Sequence, residues 1–262
     1  MNLDLTAFVL TQNNIRTIKT CLDSLSWCPQ VVVVDSFSSD GTLKVLESYP
    51  NVTIYQHQYT NAREQRIWGI ARVKTMWTFI IDSDEICTHG LKDEIIRILT
   101  TQDATHDGFI FQIRTMFMGK LLTHSDYISS KGKRLVKTEI AAIYKQSSRV
   151  HASILLEHPK FVQPAVYLIH DPIGSLAEHF TKMIRYASWQ AQDMHDRGLG
   201  VHWWHFLFRP GWKFLHFYVV KGGFRDGMRG LLICIMAATS ILLKYALLAE
   251  LIWKEGRNAK TR

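Results

Sequence analysis

The sequence Trp77-Thr78-Phe79-Ile80-Ile81-Asp82-Ser83-Asp84-Glu85 places three acids directly after a run of strand-forming residues. A continuous run of this kind is typical of a strand that is buried on both faces. The acids repel one another, and a divalent metal with oxygen ligands is the simplest cation that would stabilise them. Residues i and i+2 of an extended segment point to one face, so Asp82 and Asp84 are predicted to act together. The alternative is an acidic turn in which Asp84 and Glu85 cap the next helix.

Short apolar strands alternate with helical segments around this stretch, which indicates βαβ units and a mainly parallel sheet. Ligands of such sheets bind beyond the carboxyl ends of the strands. Asp35 and Asp82 each end a strand, so they are expected to face one crevice. Besides the strand at Trp77, the predicted strands are Leu5–Thr11, Val31–Asp35, Val52–Gln56, Phe109–Phe117, Leu135–Tyr144 (one or two short strands) and Val166–His170. The predicted helices are Asn13–Leu25, Leu43–Ser48, Asn61–Val73, Leu91–Leu99 and Ser175–Asp196.

The composition is that of an ordinary globular protein, with 47% hydrophobic and 21% charged residues in a chain of 262. The four cysteines are scattered and form no C-x-x-C pair, which favours reduced thiols in a cytosolic protein. The first residues lack a basic region, so no secretory signal is expected. A G-x-G-x-x-G motif and a P-loop are both absent, so the sequence gives no support for a dehydrogenase or an NTPase.

The whole net charge of +8 lies in the C-terminal segment. Residues 197–262 hold 11 basic and 3 acidic residues, whereas residues 1–196 hold 20 of each sign. We therefore predict a neutral domain over residues 1–196 and a basic helical tail over residues 197–262. Such a tail is typical of proteins that bind nucleic acid or an anionic membrane.

Aromatic rings alternate with basic residues over Val201–Tyr218, a pattern that suits the headgroup layer of a bilayer. The apolar run Leu231–Leu243 is shorter than the roughly 20 residues that a spanning helix needs, so we expect it to lie in the interface or to pack on the domain. A buried C-terminal hairpin or a dimer surface is the alternative. Nucleic-acid binding is not expected, because so many aliphatic residues would serve no purpose there.

A second motif follows the strand that ends at Asp35. The segment Asp35-Ser36-Phe37-Ser38-Ser39-Asp40-Gly41-Thr42 resembles the D-x-x-S-x-D-G-T segment of family 2 glycosyltransferases, which have the GT-A fold. The order of the other motifs is similar to that family: Thr11-Gln12-Asn13-Asn14 comes first, Arg63, Gln65 and Arg66 come next, and the D-x-D-E of Asp82–Glu85 follows. The pattern also resembles that of bacterial lipopolysaccharide-core β-glucosyltransferases, which end in a basic, aromatic, amphipathic tail.

This resemblance implies a mainly parallel α/β sheet that binds a UDP-sugar across its strand ends, with Mg²⁺ or Mn²⁺ on the diphosphate. It also implies an inverting transfer to a lipid-linked saccharide by an enzyme that is cytoplasmic and peripheral on the inner face of the membrane. The implied nucleotide-binding residues are Thr11, Asn13, Asp35 (uracil), Asp40, Arg66 (diphosphate) and Asp82 (ribose or metal). The implied metal ligands are Asp84 and His170. A solvated helix face for Arg66 and a structural role for His170 are the alternatives.

The expected catalytic base is missing from its usual place. The relatives carry a V-H-E segment, whereas this chain has Val150-His151-Ala152. His151 or Glu157 is then the predicted base, unless the acceptor is already an anion or the enzyme is weak. The missing carboxylate also leaves open a polyprenyl-phosphate glycosyltransferase, and a sugar-nucleotide-binding scaffold is the non-enzymatic alternative.

Overall fold

The computed structural model describes residues 3–101, 105–124, 129–141, 144–146 and 152–260. The chain forms two compact units. The first unit comprises residues 1–115 and 130–172, and the second comprises residues 116–129 and 173–262.

One sheet forms the centre of the first unit, and one half of this sheet is parallel. Strand β1 (Leu5–Thr11) pairs in parallel with β2 (Gln30–Asp35) on one side and with β4 (Trp77–Asp82) on the other. Strand β3 (Val52–Gln56) continues the parallel order beyond β2. Strand β8 (Ser129–Lys137) runs antiparallel to β4. All four carboxyl ends of the parallel strands therefore lie at one edge of the sheet.

The other half of the sheet is mixed. Strand β6 (Gly108–Phe117) lies between β8 and β12 (Tyr167–His170), and β12 is parallel to it. The edge strand β5 (Glu85–Cys87) runs antiparallel to β12, and its presence was not predicted. The full order is β3-β2-β1-β4-β8-β6-β12-β5. The remaining strands are β7 (Lys120–Leu121) and β11 (Pro159–Phe161), which pair with β6, and the antiparallel ribbon of β9 (Tyr144–Gln146) and β10 (Ala152–Ile154).

Helices cover the sheet on both faces, as the continuous apolar strands predicted. Along β1, Ala7 and Val9 join the hydrophobic core of one face, and Phe8 joins the core of the other. The same alternation places Phe79 and Ile81 opposite to Ile80. The helices of this unit are α1 (Ile18–Ser24), α2 (Thr42–Leu46), α3 (Ala62–Ile70), α4 (His89–Thr100) and α5 (Thr138–Ala141). The predicted α/β class with a mainly parallel sheet is confirmed.

Helix α1 begins later than predicted, at Ile18 instead of Asn13. The backbone of Asn13 has a φ of +53°, which is outside the helical range. Its N–H donates to Oγ of Ser38 at 2.9 Å, and its Oδ1 accepts from the N–H of Ser39 at 2.8 Å. Asn13 therefore joins the loop after β1 to the loop after β2, and the helix follows only afterwards.

The second unit is built on three helices, α6 (Leu176–Asp196), α7 (Trp204–Leu215) and α8 (Gly227–Lys260). A π-helical turn, His216–Val220, and a short 3-10 helix, Gly223–Asp226, join α7 to α8. Helix α6 packs along α8, so the boundary of the compact units falls before α6 and not after it. The division into a transferring domain and a membrane-binding tail stays a prediction.

Helix α8 is longer than the apolar run Leu231–Leu243 suggested. Lys244 does not end it, and the helical segment Gly223–Arg257 is long and apolar enough to cross a membrane by length and composition. A third of its most apolar window (33%) is buried within the protein. The expectation that this segment is too short to span a membrane was therefore wrong. Buried core helices of soluble proteins meet the same criteria, so the position of α8 relative to a membrane stays a prediction.

Candidate functional site

The strand register brings Asp35 and Asp82 to one edge of the sheet. Strand β1 lies between β2 and β4, with Thr11 opposite Asp35 and Leu10 opposite Asp82. Because these strands are parallel, all three ends open on the same side. The two acids therefore lie at the same edge of the sheet, and a crevice between them stays a prediction.

Two arginines neutralise Asp82. Arg66 of α3 donates from Nη2 to Oδ1 of Asp82 at 3.2 Å, and Arg134 of β8 donates to Oδ2 from Nη1 and Nη2 at 3.3 and 3.2 Å. Arg134 also donates to Oε1 of Glu85. The N–H of Asp82 donates to Oε2 of Glu85 at 3.0 Å, so the four residues form one network.

The network separates the pKa values of its two carboxyl groups. Burial alone would raise the pKa of Asp82, but the Arg134 and Arg66 guanidiniums hold it well below its usual range. Burial raises the pKa of Glu85 to about 7, and the charge of Asp82 adds to this effect against the influence of Arg134. Asp82 is thus a fixed anion whose side chain is 33% exposed, whereas Glu85 is 2% exposed and titrates near neutrality.

Asp84 takes a different partner. Strand β4 ends at Asp82, so the alternation that was expected to align Asp82 with Asp84 stops before Asp84. Pairing of β5 with β12 places His170 opposite Glu85, and Oδ2 of Asp84 lies 3.4 Å from Nε2 of His170. Burial alone would lower the pKa of His170, but the hydrogen bond and charge of Asp84 raise it. The edge strand β5, which has no strong sequence signal, creates this pair.

Side-chain hydrogen bonds join the loop after β1 to the loop after β2. Asp35 is fully buried, and its carboxylate accepts from the N–H of Ser38 at 3.0 Å and from Nε2 of Gln56 at 3.3 Å. Asp40 accepts from the N–H of Ile15 at 3.0 Å and from the N–H of Thr42 at 3.0 Å, and Thr42 begins α2. Burial alone would raise the pKa of Asp40, but its hydrogen bonds to Thr42 and Ile15 lower it.

Helix α3 is tied to the loops after β2 and β3 through Gln65, which is buried. Its Nε2 donates to Oγ of Ser36 at 2.9 Å and to the carbonyl of His57 at 3.0 Å. Asn61 caps the helix by accepting from the N–H of Glu64 at 3.0 Å. These contacts fix the position from which Arg66 reaches Asp82. Thr11, at the end of β1, accepts from Nδ2 of Asn14 at 3.4 Å.

Two basic residues at this edge were missed by sequence reasoning. Arg134 is 9% exposed, and the missing side chain of Gly132 makes room for it, because a Cβ on Gly132 would lie 2.8 Å from Nε of Arg134. Arg16 donates to Oδ2 and to the carbonyl of Asp171 at 2.7 Å each, directly after His170. The sequence could have indicated Arg134, because this residue directly precedes the predicted strand at Leu135. It gives no comparable signal for Arg16.

Glu157 lies away from these acids. Its N–H donates to Oδ2 of Asp107 at 2.6 Å, and the carbonyl of Asp107 accepts from the N–H of Lys137. Lys137 pairs with Trp77 at the start of β4, whereas Asp82 ends that strand roughly 17 Å away at about 3.3 Å per residue. The structure therefore does not bring Glu157 to the edge where Asp35 and Asp82 lie. His151 lies outside the described residues.

The chain is similar to a known protein family and to individual members of it. The family model "Glycosyl transferase family 2" matches residues 6–150. The chain is 24% identical over 259 residues to the lipopolysaccharide core biosynthesis glycosyltransferase LpsC of Rhizobium meliloti, in an alignment that covers 95% of each chain. It is 23% identical over 257 residues to an uncharacterized glycosyltransferase of Rickettsia bellii, with coverage of 94% of this chain and 86% of that one.

The fold is shared with a solved structure, S. aureus TarS 1-349 in complex with UDP-GlcNAc. The TM-score is 0.51 at 14% identity, over 96% of this chain and 92% of that one. The family model covers more than half of the chain, and the matched segment contains the loops after β1 and β2, Arg66 and the acids Asp82, Asp84 and Glu85. The chain therefore belongs to glycosyl transferase family 2.

Proposed function

We propose that this protein transfers a hexose, with glucose as the first candidate, from a UDP-sugar to a lipid-linked saccharide such as the lipopolysaccharide core, with inversion at the anomeric carbon. One observation carries the proposal: the Asp84–His170 pair lies next to an Asp82 that is fixed by Arg66 and Arg134, at the carboxyl edge of the parallel sheet. The names of similar proteins support the proposed acceptor and the proposed donor. LpsC belongs to lipopolysaccharide core biosynthesis, and TarS was solved with UDP-GlcNAc.

Asp84 and His170 provide two of the ligands that a divalent metal would need. A carboxylate and an imidazole are both ordinary ligands, and carboxylates with water suit Mg²⁺ and Mn²⁺. The described residues contain no group of three or more His, Cys, Asp or Glu side chains arranged to hold an ion. We infer that Asp84 and His170 would hold the metal at this edge of the sheet. The bound metal would supply positive charge where the leaving diphosphate becomes more negative.

The chain's own residues account for the rest of donor binding. Thr11 and Asp35 end β1 and β2, and Asn13 and Asp40 lie on the two loops that follow; these four residues would hold the uracil and ribose. Arg66 stabilises negative charge that develops beside Asp82, and the fixed network keeps it oriented before the substrate arrives. Asp82 accepts a hydrogen bond from the ribose or faces the metal, and its low pKa keeps it ionised in either role.

Acceptor activation is assigned to His151, since Glu157 lies at the opposite end of the sheet from Asp82. A phosphate acceptor would need no strong base, and the distant Glu157 favours a polyprenyl-phosphate glycosyltransferase as the second candidate. The exposed aromatic residues of α7 and the basic tail support a location on the inner face of the cytoplasmic membrane, where a lipid-linked acceptor would be presented.

The test is a screen of UDP-glucose, UDP-galactose, UDP-GlcNAc and GDP-mannose with Mn²⁺, in which thermal stabilisation and donor hydrolysis are both measured. We expect UDP-sugars to stabilise the protein only with the metal, and we expect Asp84→Ala to abolish most of that effect. Asp93→Ala is the matched control, because Asp93 is an exposed acid on α4. Stabilisation by UDP-glucose that is equal in Asp84→Ala and in the parent protein would contradict the metal site. Stabilisation without hydrolysis or transfer would favour the binding scaffold.

A further inference from the structure

The second unit contains a cleft of about 390 Å³ between α7 and α8. Three cations line it: Arg209 and Lys213 on α7, and Lys244 on α8. The other lining residues are apolar or aromatic, and the ring of Tyr245, which is 2% exposed, forms one wall. The cleft thus combines three positive charges with apolar walls.

The three cations have no acidic partner among the described residues. Arg209 and Lys213 stand one helical turn apart, where like charges repel. The guanidinium of Arg209 and the ammonium of Lys244 lie 5.3 and 5.2 Å from the centre of the Tyr245 ring, which stabilises them only in part. Burial lowers the pKa of Lys213. An anion in the cleft would remove this repulsion.

The acids of the tail are engaged elsewhere. Glu250 pairs with Lys254 at 2.6 Å, and Glu255 lies 3.0 Å from Nε2 of His195. Asp226 accepts from the N–H of His124 at 3.0 Å, among other hydrogen bonds. These three are the only acids that the sequence places between residues 197 and 262. An anion that neutralises the three cations would therefore be supplied from outside the tail.

The mouth of the cleft carries exposed apolar side chains. Phe208 and Trp212 line it and are 62% and 66% exposed, and Leu207 and Leu215 on the same helix are 64% and 53% exposed. A soluble anion would leave these side chains in water, whereas an amphiphile would cover them. Aromatic rings beside cations are typical of the interfacial layer of a membrane.

We propose that this cleft binds the phosphate headgroup of an anionic phospholipid, with Arg209, Lys213 and Lys244 around the phosphate and the α7 rings against the upper acyl chains. The inference rests on the membrane location given under the proposed function, and it adds a defined lipid site to a general attraction between the basic tail and the membrane. It predicts that removal of these three charges weakens binding to anionic vesicles more than removal of three other positive charges from the same unit.

The test compares three variants of the full-length chain by flotation with vesicles of phosphatidylcholine alone and of phosphatidylcholine with phosphatidylglycerol. The first variant combines Arg209→Gln, Lys213→Gln and Lys244→Gln. The matched control combines Lys182→Gln, Arg185→Gln and Lys254→Gln, which removes the same charge from exposed positions of the same unit outside the cleft.

The third variant, Ile241→Trp, fills the cleft while it keeps every charge, because Ile241 lines the cleft. Because each of the three cations contributes separately to binding at an anionic leaflet, we expect the cleft variant to lose at least about tenfold in affinity for phosphatidylglycerol vesicles. Ile241→Trp should lose a similar factor, and the control should stay within about threefold. Circular dichroism of each variant checks that the helices are intact.

Three outcomes would overturn the lipid site. Equal losses in the two triple variants, with Ile241→Trp unchanged, would show diffuse attraction only. Equal binding of the parent protein to both kinds of vesicle would show no anion recognition. Displacement from the vesicles by millimolar inorganic phosphate would show a site for the free anion. Mn²⁺-dependent UDP binding, measured on the same samples, separates failure of this site from failure of the proposed transferase function.

Discussion

Oδ2 of Asp84 lies 3.4 Å from Nε2 of His170, although the two residues are far apart in the sequence. The contact depends on β5, which turns back from the end of β4 and pairs with β12. Asp82, two positions earlier, has separate partners in Arg66 and Arg134. The D-x-D motif is therefore divided between an acid that is fixed by arginines and an acid that is paired with a histidine.

The pH dependence of metal binding tests the role of His170. Asp84 raises the pKa of His170 above its usual 6.5, so the stability that protonated His170 contributes is fully present below pH 6.5 and is lost as the pH rises through the higher, folded-state pKa. A metal must displace that proton. We therefore expect Mn²⁺ affinity, measured by calorimetry, to rise with pH through this range and then to level off.

His170→Ala should bind Mn²⁺ more weakly and without this pH dependence. His89→Ala is the control, because His89 is exposed on α4. If His170→Ala keeps the pH dependence of the parent protein, His170 is not the ligand, and Glu85, whose pKa is about 7, becomes the better source of it.

The buried Arg134 should be important for stability. Replacing it by Met leaves Glu85, which is 2% exposed, and Asp82 without their shared cation. Breaking a buried ion pair on one side costs about 3–5 kcal/mol. We expect Arg134→Met to lower the free energy of unfolding in urea by about that amount.

Arg97→Met provides the comparison, since the Arg97–Glu94 pair is on the surface, with the Arg97 side chain 56% exposed. Exposed pairs contribute about 0–1 kcal/mol, so this change should be small. If the two variants lose the same free energy, the Arg134 network does not stabilise the first unit.

The close contact between α3 and the sheet depends on Gly69. A Cβ at this position would lie 2.5 Å from Cε2 of Phe8 and 2.7 Å from Cγ2 of Val34. Overpacking of this kind costs about 1–3 kcal/mol, so Gly69→Ala should destabilise the protein despite the better helix propensity of Ala. Because α3 carries Arg66, donor binding should weaken too.

Gly90→Ala is the matched change on α4, where a Cβ meets nothing within 4 Å. It should be neutral or should stabilise by up to about 1 kcal/mol. Thermal unfolding of both variants measures the difference in stability. A Gly69→Ala protein as stable as the parent would show that α3 can shift without loss of stability.

The identity of the base can be tested by the rate of transfer to the acceptor. A positioned base contributes about 10²–10⁴-fold, so His151→Ala should slow transfer by such a factor and leave UDP-sugar binding unchanged. Glu157→Gln should change neither quantity, because the backbone of Glu157 is anchored beside Asp107. Ala152→Glu restores the carboxylate of the relatives and should not lower the rate.

Full transfer activity of His151→Ala would instead indicate that the acceptor is an anion. A slow Glu157→Gln variant with normal donor binding would contradict the placement of Glu157 away from Asp82.

The sequence by itself determined the parallel half of the sheet. Runs such as Val31–Val34 and Trp77–Ile81 can be buried on both faces only as central strands, and an acid at the end of each run marks the edge where ligands bind. The order of the loop motifs led to the glycosyltransferase family, and the uneven charge predicted a basic C-terminal tail. These signals are local, since each lies within a few consecutive residues.

Only the tertiary structure decided which side chains meet. The pairing of β5 with β12, the reach of Arg134 from β8 to Asp82, and the grouping of three cations between α7 and α8 each join segments that are distant in the sequence. Such pairings depend on register and packing, for which the sequence carries no local periodic signal. The same reason explains Glu157: its position in the sequence allowed it to be a base, and the pairing of Lys137 with Trp77 placed it at the other end of the strands.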